Sequence, residues 1–196
     1  MFRLIALVLF TSTTVQSLKA ILVTGANKGI GKAIAKRIIK TNDEVYIFLG
    51  SRDVGRGVEA ANDINSDRVT VLPLDVADDA SVAAAAKVVS ESGFALTGIC
   101  NNAGIGFGHG FPETLNANFW GTKRVCDAFI PLLEQTGSRV VNIASASGPN
   151  FVAKLPKSDQ RFFISPDTTW EDLEERIKKT TPMMDYDNSA YGFSKV

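Results

Sequence analysis

A chain of 196 residues, 45% of them apolar, is long enough to bury a sizeable core and has the composition of one ordinary globular domain. Its 21 Lys and Arg balance 21 Asp and Glu, and no basic run stands out, so the electrostatic footprint of a nucleic-acid binder is missing. The single histidine, His109, and the two cysteines, Cys100 and Cys126, have no metal-ligand spacing, which argues against a zinc site.

Met1 to Ser17 differs from the rest: Arg3, an apolar run from Leu4 to Phe10, polar Thr11 to Thr14, then small residues at alternate positions up to Ser17. This is the pattern of a short secretory signal, and the apolar run is too short to span a bilayer, so no transmembrane span is expected in the mature chain. An extended first strand or an upstream translation artefact is the alternative. The compartment follows from that choice: secretory pathway or organelle with a signal, cytoplasm without one. The absence of an Asn-x-Ser/Thr acceptor weighs against a glycosylating compartment.

From residue 18 onward, short apolar runs alternate with helical patterns. Strands are predicted at Ala20 to Thr24, Glu44 to Gly50, Arg68 to Leu74, Leu96 to Asn101 and Ser138 to Ile143. Helices are predicted at Gly29 to Lys40, Val54 to Asn65, Asp78 to Ser92 and about Pro112 to Leu133. This alternation implies parallel βαβ units, and the right-handed crossover rule leaves a Rossmann-like, doubly wound α/β fold with three layers, α/β/α. Cys100 falls on a strand and Cys126 on a helix, each in an apolar stretch; buried thiols are expected, with a disulfide as the alternative.

After Ser145 the alternation breaks, and residues 146 to 187 carry Pro149, Pro156, Pro166 and Pro182. Within them, Thr168 and Glu171 have capping-box spacing, Trp170, Leu173 and Ile177 share one helical face, and Lys178 and Lys179 suit a helix C-terminus. An inserted helical segment clamped onto the body is expected, with a disordered linker as the alternative. Phe151, Phe162 and Phe163 are apolar enough to line a pocket, although core packing is their commoner role.

Thr24-Gly-Ala-Asn-Lys-Gly-Ile-Gly31 follows the first strand and opens the first helix, the setting in which a glycine pattern binds a dinucleotide. Gly25 permits the turn, Gly29 lets a pyrophosphate approach the backbone, and Gly31 allows close helix packing at an N-terminus that favours the anion. A purely structural turn is the alternative. At the end of the second strand stands Gly50-Ser51-Arg52, not an acidic residue, and Lys28 sits in the glycine loop. Two cations suit a ribose phosphate, which favours NADP(H); Asp53 would weaken that preference if it took the ribose position.

Near the end, Tyr191 and Lys195 lie four apart in Asn188-Ser-Ala-Tyr-Gly-Phe-Ser-Lys195. On a helix they share a face, and a neighbouring cation suits a phenol to general acid and base work, although solvated faces show the same spacing by chance.

Together with Asn101-Asn-Ala-Gly104, Asn118 in Asn-Phe-Trp-Gly-Thr122, and Ser145 ending Asn142-Ile-Ala-Ser, these motifs resemble the short-chain dehydrogenase/reductase family from about Lys19 to the last residue. The resemblance implies an NADP(H)-dependent reduction of a ketone, aldehyde or quinone. In that scheme Tyr191 donates the proton, Ser145 hydrogen-bonds the carbonyl oxygen, Lys195 holds the nicotinamide ribose, and Asn118 anchors a water. It also implies cofactor contacts from Gly25, Asn27, Lys28, Gly29, Ile30, Gly31, Arg52, Asp75, Val76, Asn101, Ala103, Gly104, Tyr191 and Lys195. A helix-capping role for Asp75 and a plain turn at Asn101 to Gly104 are the alternatives. The long segment before Tyr191, with Asn27-Lys-Gly-Ile-Gly31 and Ser51-Arg-Asp-Val-Gly-Arg56, is similar to the carbonyl reductase subgroup that includes menthone and salutaridine reductases. There the insertion covers the face used elsewhere for subunit pairing, so a monomer is expected of a full-length form. Family members continue past the Tyr and Lys helix into two further strands. The expectation here is therefore a C-terminally truncated domain with an open edge at the fifth strand, either weakly active or a cofactor-binding or partner-binding remnant.

Overall fold

The computed structural model describes residues 18–106, 108–180 and 188–196. The signal reading at Met1 to Ser17, and the end of the interrupted segment at 181–187, lie outside them.

Five parallel strands form one sheet in the order β3-β2-β1-β4-β5: β1 is Lys19–Val23, β2 Val45–Ser51, β3 Val69–Pro73, β4 Ala95–Asn101 and β5 Arg139–Asn142. The strand boundaries lie within a residue or two of those the apolar runs predict. The chain winds outward from β1 through β2 to β3, then crosses to the other side of β1 for β4. That reversal opens a crevice beyond the carboxyl ends of β1 and β4, where α/β sheets bind ligands.

Side-chain alternation along the strands builds two cores. On one face Val23, Ile47, Leu49 and Cys100 pack against Ala35 and Ile39 of α1 (Gly29–Thr41) and Ala60 and Ile64 of α2 (Val54–Ile64). On the other, Leu22, Phe48, Leu72 and Leu96 meet Val82, Ala85 and Val89 of α3 (Asp79–Glu91) together with Val125 and Phe129. Both cysteines are free thiols, which removes the disulfide alternative. Neighbouring strand residues project to opposite faces, and Cys100 is directed to the α1 side. Burial pushes both thiols above their ordinary pKa.

The helix predicted as one piece from Pro112 to Leu133 is four segments: α4 (Phe111–Leu115), a π-helical turn (Asn116–Trp120), α5 (Gly121–Phe129) and a 3₁₀ turn (Ile130–Leu132). Pro131 accounts for the last break, because it can neither donate to nor sterically continue an α-helix. The π turn is invisible to a 3.6-residue pattern. It accompanies an asparagine held at both ends, described below.

Residues 146–180 contain α6 (Ser147–Ala153), α7 (Lys157–Ile164) and α8 (Trp170–Thr180). The capping box of α8 sits one residue later than Thr168 and Glu171. The Thr169 backbone N–H donates to Asp172 Oδ2 at 3.0 Å, and the Asp172 N–H donates to Thr169 Oγ1 at 3.1 Å. The Thr168 hydroxyl is spent instead on the Phe162 carbonyl at 2.6 Å, which ties the start of α8 to α7. Leu173 and buried Ile177 pack with Phe111, Leu115 and Phe193 in a third cluster, while Trp170 stacks on Phe119 with ring centroids 5.7 Å apart. Phe151 and Phe163 join that cluster edge-on to Phe193, at 5.7 and 5.9 Å. Phe162 and Phe163 also line a 260 Å³ apolar cavity beside Phe193.

Candidate active site

The glycine-loop side of the crevice is built on β1. Gly25 has φ +62°, and a Cβ there would lie 2.8 Å from Ala103 Cα, so the turn needs glycine for both conformation and space. Gly29, at φ +55°, faces open space, whereas a Cβ on Gly31 would lie 2.4 Å from Asn102 Nδ2 and 2.6 Å from Gly25 O. Lys28 is the extended N-cap of α1, no side chain caps that helix, and its first turn has no acidic residue. The leading N–H groups of Gly29, Ile30 and Gly31 form a positive pole that suits a phosphate. Asn27 is half-buried in the same loop, and the Ile30 side chain is 65% exposed.

The loop is fastened by two residues that pattern reading missed. Thr24 Oγ1 accepts hydrogen bonds from the backbone N–H groups of Asn102 and Ala103 at 3.0 and 2.9 Å. Asn102 Nδ2 donates to the carbonyls of Thr24 and Gly25 at 2.9 and 3.1 Å. Asn101 ends β4 and Asn102 is the first residue beyond it, and the two side chains bond in different directions, only that of Asn102 to the glycine loop. Asn101 is turned the other way and donates to Asn142 Oδ1 at 2.9 Å, with its own Oδ1 buried and lacking a hydrogen-bond partner among the described residues.

Just beyond the carboxyl ends of β2 and β3, Arg52 Nε stands 4.0 Å from Asp75 Oδ2. Asp53 caps α2, accepting from the Arg56 N–H at 3.0 Å, and pairs with the Arg56 guanidinium at 3.4 Å. Asp75 does not cap α3. Asp78 does, by accepting from the Ser81 N–H at 2.8 Å, while Asp75 Oδ1 accepts from the Ala77 N–H at 3.0 Å in an Asx turn. The Val76 side chain is buried against Gly121, which leaves only its backbone for the crevice.

On the opposite wall, Asn118 is 5% exposed. Its Oδ1 accepts from the Ile105 N–H at 2.8 Å, and its Nδ2 donates to the Ile105 carbonyl at 3.0 Å and to Ser194 Oγ at 2.9 Å. Ser194 is the third missed residue; its place just before Lys195 was the available signal. Tyr191 belongs to α9 (Asn188–Phe193), and Lys195 Nζ lies 5.8 Å from its ring centroid, so the i, i+4 pairing survives the end of the helix. Lys195 Nζ also donates to the Ile143 carbonyl at 3.3 Å. A Cβ on Gly104 would lie 2.9 Å from Asn118 Oδ1 and 3.8 Å from Lys195 Nζ, so these three residues share one small volume. Burial holds the Lys195 ammonium below the ordinary lysine pKa.

Ser145 is half-buried three residues beyond β5, and its Oγ accepts from the Ser147 N–H at 3.1 Å as α6 begins. Two glycines bring α6 against α9. A Cβ on Gly148 would lie 2.2 Å from the Lys195 carbonyl oxygen, and one on Gly192 would lie 2.9 Å from Phe151 Cβ. The crossing joins the Ser145 end of the crevice to the helix that carries Tyr191.

A family model described as short chain dehydrogenase matches residues 19–156. The chain belongs to the short-chain dehydrogenase family. Among its relatives, D-beta-hydroxybutyrate dehydrogenase, mitochondrial, of Bos taurus is 36% identical over 143 residues, covering 66% of this chain and 42% of that protein. The (+)-neomenthol dehydrogenase of Arabidopsis thaliana is 34% identical over 159 residues, covering 64% of this chain and 53% of that protein. Carbonyl reductase (NADPH) 1 of Homo sapiens is 31% identical over 195 residues, covering 89% of this chain and 69% of that protein. The chain thus spans about half the length of the first two of these relatives. Menthone neomenthol reductase from Mentha piperita superposes with a TM-score of 0.75 at 26% identity, covering 90% of this chain and 81% of that one. The Rossmann-like reading of the short-chain dehydrogenase sheet therefore holds in both topology and kinship. No helix among the described residues is long and apolar enough to cross a membrane.

Proposed function

We propose that this short-chain dehydrogenase reduces a small-molecule carbonyl, a ketone, aldehyde or quinone, to an alcohol with NADPH. The observation that carries the reading is the meeting of Lys195, Asn118 and Gly104 at one end of a crevice whose other end presents the uncapped N-terminus of α1. The residues fit a phosphorylated dinucleotide: Gly29 leaves room at the positive pole, Lys28 is the N-cap of α1 beside it, and Arg52 follows the end of β2 as a second cation for a ribose phosphate. With Asp53 committed to the α2 cap, no carboxylate from the end of β2 competes for the ribose hydroxyls, which supports NADPH over NADH. The NADPH carbonyl reductases among its relatives support the same preference.

Bound cofactor would supply the hydride. Tyr191 holds the proton that the developing alkoxide takes, and Ser145 hydrogen-bonds the carbonyl oxygen so that charge forms against a fixed donor. Lys195 orients the nicotinamide ribose from the Tyr191 face. Asn118 and Gly104 bound the volume in which that ammonium sits. The face of α4 and α9 is covered by α8 through Leu173 and Ile177, which supports a monomer.

One observation favours a second reading. All four residues of β5 are exposed, Val141 by 50%, and an uncovered strand can pair with a partner chain in a protein that binds cofactor without turnover. Following NADPH fluorescence during titration and then adding a panel of carbonyls separates the two. Turnover that Tyr191→Phe abolishes is expected; binding without turnover supports the second reading, and a folded sample that binds no NADPH refutes both.

A further inference from the structure

The last turn of α9 tightens. The Ser194 N–H donates to the Ala190 carbonyl at 3.0 Å in α fashion, but the Lys195 and Val196 N–H groups donate to Gly192 and Phe193, at 3.1 and 3.2 Å, in the i−3 pattern. The Tyr191 carbonyl, which an unbroken α-helix would pair with the Lys195 N–H, accepts the Ser194 hydroxyl instead, at 2.9 Å. The same hydroxyl oxygen accepts from Asn118 Nδ2 at 2.9 Å. Ser194 is 6% exposed and Asn118 5%, so neither bond is shared with bulk solvent.

The asparagine amide is fully specified by these contacts. Both Nδ2 hydrogens are used, on Ile105 O and Ser194 Oγ, and Oδ1 accepts the Ile105 N–H. Flipping the amide would set carbonyl against carbonyl and N–H against N–H at Ile105, so the orientation is locked. Asn118 in turn lies in the π-helical turn Asn116–Trp120.

We propose that Ser194 is a positioning residue that ties the end of the Tyr191 helix to Asn118, and thereby fixes where Lys195 stands against the nicotinamide ribose. This rests on the reading of Tyr191, Lys195 and Asn118 as the reactive group. The hydroxyl acts through two bonds, one in each direction, and no other group described at this position supplies both. A purely space-filling serine would leave the cofactor and the asparagine amide unaffected when replaced by alanine.

The test compares Ser194→Ala with Ser194→Thr, which keeps the hydroxyl. In ligand-free protein, hydrogen exchange of the Asn118 side-chain amide, read by NMR, should speed at least about tenfold in the alanine variant, as expected for loss of one buried hydrogen bond. NADPH affinity, read by fluorescence titration, should weaken about tenfold, because a Lys195 side chain that is no longer held in place must be ordered when the cofactor binds, and Ser194→Thr should restore both to within about twofold. Unchanged exchange, or unchanged affinity in a folded Ser194→Ala protein, overturns the proposal even if its melting temperature drops. Should the alanine variant fail to fold, Ser194→Cys retains the volume with a poor hydrogen-bonding group and carries the same expectations. If the unaltered chain binds no NADPH, the functional reading fails by itself, and the exchange measurement still decides whether Ser194 holds Asn118.

Discussion

Gly148→Ala tests how the crevice is assembled. The new methyl would lie 2.2 Å from the Lys195 carbonyl oxygen and 2.7 Å from its carbonyl carbon, both of them backbone atoms that cannot rotate away. Ordinary contact needs separations of about 3.4 Å or more, so α6 and α9 must move apart by roughly 1 Å; overpacking of this kind costs about 1–3 kcal/mol of stability. A shift of about 1 Å also moves Lys195 relative to Ser145 and can lower turnover by about 100-fold. Urea denaturation should show the stability loss, and NADPH titration a weakened complex, while circular dichroism keeps its helical signal. Gly55→Ala is the control: its Cβ would meet only Asp53 Oδ1, at 3.4 Å, and removing a helical glycine should stabilise α2 by about 0.5–1 kcal/mol. If Gly148→Ala unfolds at the same urea concentration as the parent and binds NADPH equally well, the α6–α9 crossing does not hold the site together.

Four further expectations follow from the geometry. Asp53→Ala removes the α2 N-cap and should cost about 1 kcal/mol in denaturation; on the proposed reading, in which this carboxylate serves the helix and not the ribose, NADPH affinity should change little. Arg52→Ala should weaken NADPH more than NADH, by about tenfold or more, the worth of a charge-assisted hydrogen bond; equal losses for the two cofactors would refute the phosphate assignment. Tyr191→Phe should lower any carbonyl turnover by about 100-fold or more while NADPH still binds, with a far smaller loss of affinity than of rate. Lys195 is charged in a half-buried site that lowers its pKa, so between its folded and unfolded pKa values the unfolded chain binds more protons and stability rises with pH. Relative to Lys195→Met, the parent chain should therefore gain stability as pH climbs through the window below the ordinary lysine range; a parallel pair of curves would refute it.

Asp78 and Asp75 show how far local reading reaches. Sequence offers Asp75 as a helix cap and starts the helix at Asp78; the backbone path decides otherwise, sending the Asp78 carboxylate to the Ser81 N–H as the cap and the Asp75 carboxylate to Ala77 and Arg52. Thr168 and Thr169 are likewise adjacent threonines with an acid three residues on, and only the packing of α7 shows which hydroxyl is already engaged.

The strands, the first three helices and the place of the glycine loop were determined by the sequence alone, because two-residue and 3.6-residue periodicities and glycine's freedom at positive φ act within a few neighbouring residues. The tertiary structure decided the rest: that Asn102 and not Asn101 fastens the loop, that a π turn presents Asn118, and that Ser194 joins it to the Tyr191 helix. Those contacts link residues 76 to 78 positions apart. Their partners are selected by sheet order and helix crossing, which no local window contains.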